Sequence, residues 1–189
     1  MCKCASSSKK SARQNSHICT FAHPHINNMD YRIPPQTHIG HVHLKVADIK
    51  RALSFYQDLL GFEIMASYGD SAVFISAGGY HHHIGLNTWY SKNAPPAPRN
   101  SAGLFHTAIV YPTRKDLAIA LKRLIDAKYP LTGASDHGVS EALYLDDPDG
   151  NGVELYWDRP KEQWPFDKEG NLQMGTEHLD LQDLLSEIG

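Results

Sequence analysis

The stretch that decides the fold reads His137-Gly-Val-Ser-Glu-Ala-Leu-Tyr144-Leu-Asp-Asp-Pro148-Asp-Gly-Asn-Gly-Val-Glu154. Residues 146–152 within it are all Asp, Pro, Gly or Asn, the residues that favour tight turns. The pattern predicts a short strand, a turn and a second short strand. Because side chains alternate along a strand, Glu154 lies on the face opposite the apolar residues of the second strand. Such a carboxylate is either an exposed surface residue or part of a site, and the rest of the sequence is needed to distinguish the two.

Length and composition limit the class of protein. The chain has 189 residues, enough for one compact domain with a sizeable core after its two ends are set aside. Its net charge of −3, without a basic stripe, argues against nucleic acid as a partner. No apolar run is long enough to span a bilayer, so no membrane partner is expected. The three cysteines lie outside the periodic segments, which argues against a disulfide framework and predicts a reducing, cytoplasmic location.

Residues 1–36 are predicted to be a disordered or poorly ordered N-terminal tail. The first ten residues are small, polar and basic, without the apolar segment of a secretory signal. Two alternatives stay open: a mis-assigned start, with Met29 as the first residue, and an organellar transit peptide. The cysteines and histidines of this region match no familiar zinc-binding spacing.

Two regions of the chain show the same order of predicted elements. In residues 37–90 the patterns predict a strand at 37–46, a helix at 49–60 and strands at 62–68, 72–76 and 80–87. In residues 103–158 they predict a strand at 104–110, a helix at 113–125 and strands near 133–135, 141–145 and 153–157. A Pro-rich linker, residues 90–103, joins the two regions. The sequence therefore predicts an α+β domain over residues 37–158, built from two paired βαβββ modules.

A C-terminal extension, residues 159–189, follows the domain. Trp164-Pro-Phe166 is expected to clamp the chain onto the domain, and residues 179–188 have helical spacing. We expect a short helix that docks on the domain. Covering an opening or contacting a second subunit are the alternatives.

Three residues point to a metal site: His41, His106 and Glu154. Each lies on the polar face of a predicted strand, and the two histidines are near the start of their respective modules. Two neutral imidazoles and one carboxylate on one side of a divalent metal leave positions for substrate and oxygen, which suits Fe(II) and also Mn(II). A lone strand histidine is more often a hydrogen-bonded structural residue, but three such residues at corresponding ends of a duplicated module predict a ligand set.

At these positions the chain resembles the vicinal oxygen chelate (glyoxalase/bleomycin resistance/dioxygenase) superfamily, and within it the type I extradiol dioxygenases of the catechol 2,3-dioxygenase kind. The resemblance covers about residues 37–158. It rests on Ile39-Gly-His41-Val-His-Leu-Lys-Val-Ala-Asp48, Phe55-Tyr-Gln-Asp-Leu-Leu-Gly-Phe62, Gly103-Leu-Phe-His106 and the stretch from His137 to Glu154. The last of these meets the extradiol signature through Leu143-Tyr144, Asp147-Pro148 and Gly150. Ser135 departs from it mildly, because the signature prefers another residue type two positions before the histidine.

The resemblance implies a cupped, incomplete barrel around a metal site and a role for each signature residue. His41, His106 and Glu154 would be the iron ligands, with Fe(II) as the expected metal and Mn(II) as the alternative. His83 would lie near the place where oxygen binds, and His137 and Tyr144 would contact the hydroxyl oxygens of the substrate. The implied reaction is extradiol cleavage of a small aromatic diol by O2.

The same residues allow other interpretations of the site. A glyoxalase I-like isomerase would share the fold but use a carboxylate at the end of both modules, where the first module has His83. A non-catalytic small-molecule-binding member, such as an antibiotic-sequestering protein, would not need the ligand set. His81 or His82 could replace His83 if the strand shifts by one residue, and Tyr144 could be a core aromatic. Because the chain has room for only one pair of modules, we expect a homodimer.

Overall fold

The computed structural model describes residues 31–189. Residues 31–38 form a unit of their own, in which the Thr37 amide donates to the Pro34 carbonyl at 2.9 Å and closes a turn. Residues 39–189 form a second unit that contains every helix and strand assigned within 31–189. The predictions made for residues 1–30, including the tail and the Met29 start, lie outside the described residues.

The first module of the second unit is a four-stranded sheet. Its strands are β1 (Val42–Lys45), β2 (Glu63–Tyr68), β3 (Ala72–Ser76) and β4 (Ile84–Asn87). They lie in the order β1-β4-β3-β2, with β1 parallel to β4 and the other pairs antiparallel. The first and last strands are shorter than predicted: β1 begins at Val42 and β4 at Ile84, although the backbone of His83 still hydrogen-bonds to Val42 and Ile75.

The helix of the first module begins where the sequence predicts it. α1 (Ile49–Leu53) is capped by Asp48, whose carboxylate accepts from the Arg51 amide at 2.7 Å. Beyond α1 the chain continues as a π-helix, Ser54–Leu59, where an uninterrupted α-helix to residue 60 was predicted. A π-turn holds more residues than an α-turn, so consecutive side chains point in more similar directions. The adjacent bulky residues Phe55 and Tyr56 are both buried there, which apolar periodicity alone does not reveal.

The second module repeats the topology of the first. Its elements are β5 (Thr107–Val110), α2 (Arg114–Asp126), β6 (Gly133–Asp136), β7 (Ser140–Asp146) and β8 (Gly152–Asp158). The strands lie in the order β5-β8-β7-β6, again with the first and last strands of the module parallel. The predicted α+β architecture of two βαβββ modules with open sheets is therefore confirmed.

One turn connects the two modules through hydrogen bonds. The buried carboxylate of Asp149 accepts from the Ala47 amide at 2.8 Å and from the Arg51 guanidinium at 2.6 Å. The neighbouring Asp147 accepts from the Tyr56 hydroxyl at 3.0 Å. These hydrogen bonds between buried groups hold the turn in position, and the same turn leads directly into β8 and Glu154.

The C-terminal extension packs against the second module. β9 (Glu177–His178) adds to the edge of β6, and α3 (Leu181–Ser186) lies against α2. Leu184 is fully buried in the core cluster, and Arg114 forms ion pairs with two α3-side carboxylates, those of Asp183 and Glu187. Within residues 31–189, no helix is both long enough and apolar enough to span a membrane. The cytoplasmic location stays a prediction.

Candidate active site

The pairing of β7 with β8 places Tyr144 opposite Glu154. Residues directly opposite each other on antiparallel strands project from the same face of the sheet. The Tyr144 hydroxyl lies 3.1 Å from Glu154 Oε1 and donates to it. The carboxylate predicted on the polar strand face therefore has a phenol beside it.

His106 completes this side of the sheet. It lies immediately before β5, which runs parallel to β8, whereas the sequence predicted it inside the strand. Its Nε2 is 2.9 Å from Glu154 Oε2. Its Nδ1 is buried and has no hydrogen-bond partner among the described residues. The ring is thus directed at the carboxylate through Nε2.

His137 extends the row on the other side of Tyr144. Its Nε2 lies 2.7 Å from the Tyr144 hydroxyl, and its Nδ1 lies 2.7 Å from the carbonyl oxygen of Gly175. Four side chains therefore form a continuous polar row in the order His137, Tyr144, Glu154 and His106. We call this set the polar row.

Burial governs the chemistry of the phenol in the polar row. It raises the pKa of Tyr144 to about 12, and the charge and hydrogen bond of Glu154 act in the same direction. Tyr144 is therefore a neutral hydrogen-bond donor at physiological pH. Because the phenol has one proton, it can donate either to His137 or to Glu154 at a given moment.

A cavity of about 390 Å³ lies beside the polar row, within the size range of small-molecule sites. His106, Tyr144 and Gly152 contribute to its wall, and Arg99 lies at it, paired with Asp146 at 2.6 Å. Arg99 belongs to the segment that the sequence predicted only as a linker, and no pattern there distinguishes it.

The remaining predicted site residues lie on the first sheet. The exposed His41 lies against His82, with ring centroids 4.4 Å apart and the ring planes tilted by 54°. His83 Nδ1 accepts from the Ala77 amide at 3.3 Å and lies 2.9 Å from the Ser76 hydroxyl. Burial, and then the neighbouring His41, lower the pKa values of His43 and His82, which favours neutral imidazoles on this face.

The structure thus brings together four of the six predicted site residues and leaves His41 and His83 apart from them. Within residues 31–189, no group of three or more His, Cys, Asp or Glu side chains is arranged to hold one metal ion. His106 and Glu154 fit two positions of the predicted set, since an imidazole nitrogen and a carboxylate oxygen are ligands that Fe(II) and Mn(II) accept. The third residue of the predicted set, His41, is not grouped with these two in the part of the chain that the structure describes, and the ligand set stays a prediction.

The chain is similar in sequence and in fold to proteins of one known class. A family model for the Glyoxalase/Bleomycin resistance protein/Dioxygenase superfamily matches residues 38–155. The chain belongs to this superfamily. A solved structure of a glyoxalase/dioxygenase from Nostoc punctiforme matches 69% of this chain and 99% of its own, with a TM-score of 0.57 and 16% identity, which supports the fold alone.

Two curated relatives are dioxygenases. The chain is 43% identical over 157 residues to a catechol-2,3-dioxygenase of Bacillus subtilis (strain 168), which covers 83% of this chain and 54% of the relative. It is 31% identical over 121 residues to biphenyl-2,3-diol 1,2-dioxygenase 3 of Rhodococcus globerulus, which covers 64% of this chain and 63% of the relative. The chain therefore spans between about half and two thirds of the length of these relatives.

Proposed function

We propose that the protein is a metal-dependent extradiol ring-cleaving dioxygenase that acts on a catechol-type aromatic with O2. The observation that carries the proposal is the polar row, in which a histidine and a phenol from the signature stretch meet a histidine–carboxylate pair. The 43% identity to a catechol-2,3-dioxygenase supports the same chemistry. A glyoxalase I-like isomerase, which would use a carboxylate at the end of both modules, has less use for the His137–Tyr144 pair than a ring-cleaving dioxygenase has.

Each member of the polar row has a distinct role in this proposal. His106 and Glu154 would hold the metal, with Fe(II) as the expected ion and Mn(II) as the alternative. When bound, such an ion acts as a Lewis acid that makes a diol hydroxyl more acidic and provides a place for O2. Tyr144, as a neutral phenol, donates a hydrogen bond to a diol oxygen. His137, whose Nε2 lies 2.7 Å from the Tyr144 hydroxyl, would accept the proton that the diol releases.

His83 would act on the oxygen side of the site. Its Nδ1 accepts from the Ala77 amide, so the neutral ring carries its proton on Nε2. That nitrogen is a donor that can stabilise negative charge developing on oxygen. The hydrogen bond also favours this assignment over the neighbouring histidines, whose Nδ1 atoms contact each other at 2.8 Å.

For His41 and His83 to reach the polar row, we propose a homodimer in which the first sheet of one copy faces the second sheet of the other. The first sheet presents an exposed face of imidazole and aromatic side chains, including His41, His43 and the half-exposed Trp89. The polar row of the same copy supplies two of the three proposed ligands, His106 and Glu154. Because a two-fold contact is reciprocal, a single interface would complete two sites at once.

The test of the proposed activity begins with protein loaded anaerobically with Fe(II) or Mn(II) and supplied with catechols in air. We expect a coloured ring-fission product that depends on the metal, and loss of both product and bound metal in His106→Ala and Glu154→Ala. His38→Ala is the matched control, since His38 is an exposed histidine outside the second unit. Metal retained without product from several catechols would contradict the dioxygenase and favour an isomerase. Wild-type protein that binds no metal would favour a binding role.

A further inference from the structure

The C-terminal extension contacts the active site through one backbone group. The carbonyl oxygen of Gly175 lies 2.7 Å from His137 Nδ1, and the Gly175 amide donates back to the His137 carbonyl at 3.2 Å. Both the ring and the backbone of His137 are therefore held by a residue 38 positions further along the chain.

This contact determines which ring nitrogen carries the proton. A carbonyl oxygen only accepts hydrogen bonds, so Nδ1 of His137 must be the protonated nitrogen. In the neutral ring Nε2 is then an acceptor, and the Tyr144 hydroxyl, 2.7 Å away, can turn its single proton from Glu154 to this nitrogen. The opposite tautomer would present an N–H group toward Tyr144 and the substrate, and it could not accept a proton there.

The extension is anchored on both sides of Gly175, so the carbonyl is held in a fixed position. Immediately after Gly175, Glu177 and His178 pair with Asp136 and Ser135 at the edge of β6. Beyond them, Leu179 is buried in the core cluster. Before Gly175, the chain is held where the Gln173 amide donates to the Pro165 carbonyl at 2.8 Å. A hydrogen-bond acceptor supplied by a packed strand edge is preorganised, so it orients the ring without a loss of order on substrate binding.

We propose that the C-terminal extension is part of the catalytic machinery: its Gly175 carbonyl is a positioning group that holds His137 in the Nδ1–H tautomer and so keeps Nε2 available as a proton acceptor. The catalytic consequence rests on the proposed dioxygenase function. The tautomer claim does not, because it concerns two atoms of this chain alone.

The test weakens this one acceptor without changing a side chain. An amide-to-ester replacement at the Gly175–Thr176 bond, introduced by semisynthesis, turns the Gly175 carbonyl into a poorer acceptor. The matched control places the ester at the Met174–Gly175 bond, which removes the Gly175 amide but leaves its carbonyl as part of an amide. Gly175→Ala is a second control, since a Cβ there meets nothing within 4 Å and the residue has no positive φ.

The first readout is the ring nitrogen resonances of His137 in protein labelled with 15N-histidine, assigned by comparison with His137→Gln. We expect a protonated Nδ1 in the native chain and in both controls, and a shift toward the Nε2-protonated form in the Gly175–Thr176 ester. The second readout is the turnover of the metal-loaded protein. If the Gly175–Thr176 ester weakens the hydrogen bond by about 1 kcal/mol, we expect kcat to fall about five-fold, with little change in KM.

A His137 tautomer that is the same in the Gly175–Thr176 ester and in the native chain would overturn the inference. An equal loss of kcat in the Met174–Gly175 control would overturn it as well, because that result would assign the effect to general loosening of the extension. If no form of the protein cleaves catechols, the proposed function fails, while the nitrogen resonances still decide whether Gly175 sets the tautomer.

Discussion

Tyr144 is the residue on which the polar row depends, because it contacts both His137 and Glu154. Among the described residues, no direct hydrogen bond joins His137 and Glu154, and the phenol links them. Its raised pKa keeps the phenol protonated, so it acts as a donor. The sequence predicted all four members of the row: strand alternation indicated His106 and Glu154, and the resemblance to the extradiol signature indicated His137 and Tyr144.

Tyr144→Phe removes the donor and keeps the ring. We expect kcat for ring cleavage to fall by about ten- to a hundred-fold, the range observed for groups that orient metal ligands, with bound metal reduced less than in Glu154→Ala. Steady-state kinetics and metal content of the purified variant are the measurements. A kcat equal to that of the native protein would remove Tyr144 from the proposed mechanism.

Some residues of the site could not have been predicted. Gly175 acts through a backbone carbonyl, and a backbone group leaves no trace in the side-chain pattern. Arg99 lies in a Pro-rich linker where no periodicity exists to interpret. The sequence identifies His41 and His83 as candidate site residues. Their distance from the polar row depends on how the two sheets are arranged in space, and strand periodicity does not determine that arrangement.

Among the secondary-structure elements, the junction of β5 and β8 positions His106 and Glu154, the pair proposed to bind the metal. The two strands pair in parallel from Thr107 and Val153 onward; Glu154 pairs with Ala108, and His106 immediately precedes the first paired residue of β5. Gly152 makes the close approach possible, since a Cβ there would contact the Phe105 carbonyl oxygen and lie 3.2 Å from His106 Cα. The sequence predicted both strands but placed the start of β5 too early, because Leu104 and Phe105 continue the apolar pattern without joining the sheet.

Gly152→Ala is expected to destabilise the protein, because the added methyl group meets backbone atoms that cannot rotate away. We expect a loss of about 1–3 kcal/mol in the free energy of unfolding, measured by denaturant titration, together with weaker metal binding. Gly85→Ala is the matched control in the first sheet, where the added Cβ would lie 2.8 Å from the His43 ring, an exposed side chain that can move aside. Equal effects of the two substitutions would mean that the β5–β8 contact does not constrain His106.

The C-terminal helix α3 contributes to stability through Leu184, which is fully buried. Leu184→Ala should lower the free energy of unfolding by about 2–5 kcal/mol, as measured by denaturant titration, because it removes buried methyl groups and leaves a cavity. Leu172→Ala is a suitable comparison, since Leu172 is 39% exposed and should have a smaller effect. A negligible loss for Leu184→Ala would show that α3 is not anchored to the core.

For the whole molecule, the buried tyrosines predict an alkaline limit to stability. Burial raises the pKa values of Tyr111, Tyr129 and Tyr144 to about 12, against an ordinary value of 10.0. A raised pKa means that the folded chain holds these protons more tightly than the unfolded chain. The stabilising contribution is therefore complete below pH 10 and is lost as the pH rises from 10 to about 12.

Phenolate absorbance followed with pH tests this expectation. We expect a late titration step that is absent in denaturant and smaller in Tyr144→Phe, with a parallel fall in the free energy of unfolding. A single titration step near pH 10 in the native protein would contradict it.

The proposed dimer makes a prediction that a site within one copy does not. When His41→Ala and Glu154→Ala proteins are mixed and allowed to exchange, a mixed dimer has one intact site, so activity should return to about a quarter of the native value. His106→Ala mixed with Glu154→Ala is the control, because both changes lie in the second module and no intact site can form. If the first mixture recovers no activity although mass spectrometry shows that the subunits have exchanged, all the ligands lie in one copy.

The proposed function itself is tested most directly by the fate of oxygen. Metal-loaded protein would be supplied with a catechol under isotopically labelled O2, and the mass of the ring-fission product would be measured by mass spectrometry. We predict that both labelled atoms appear in the product and that neither appears with Glu154→Ala. A product without label would contradict a dioxygenase.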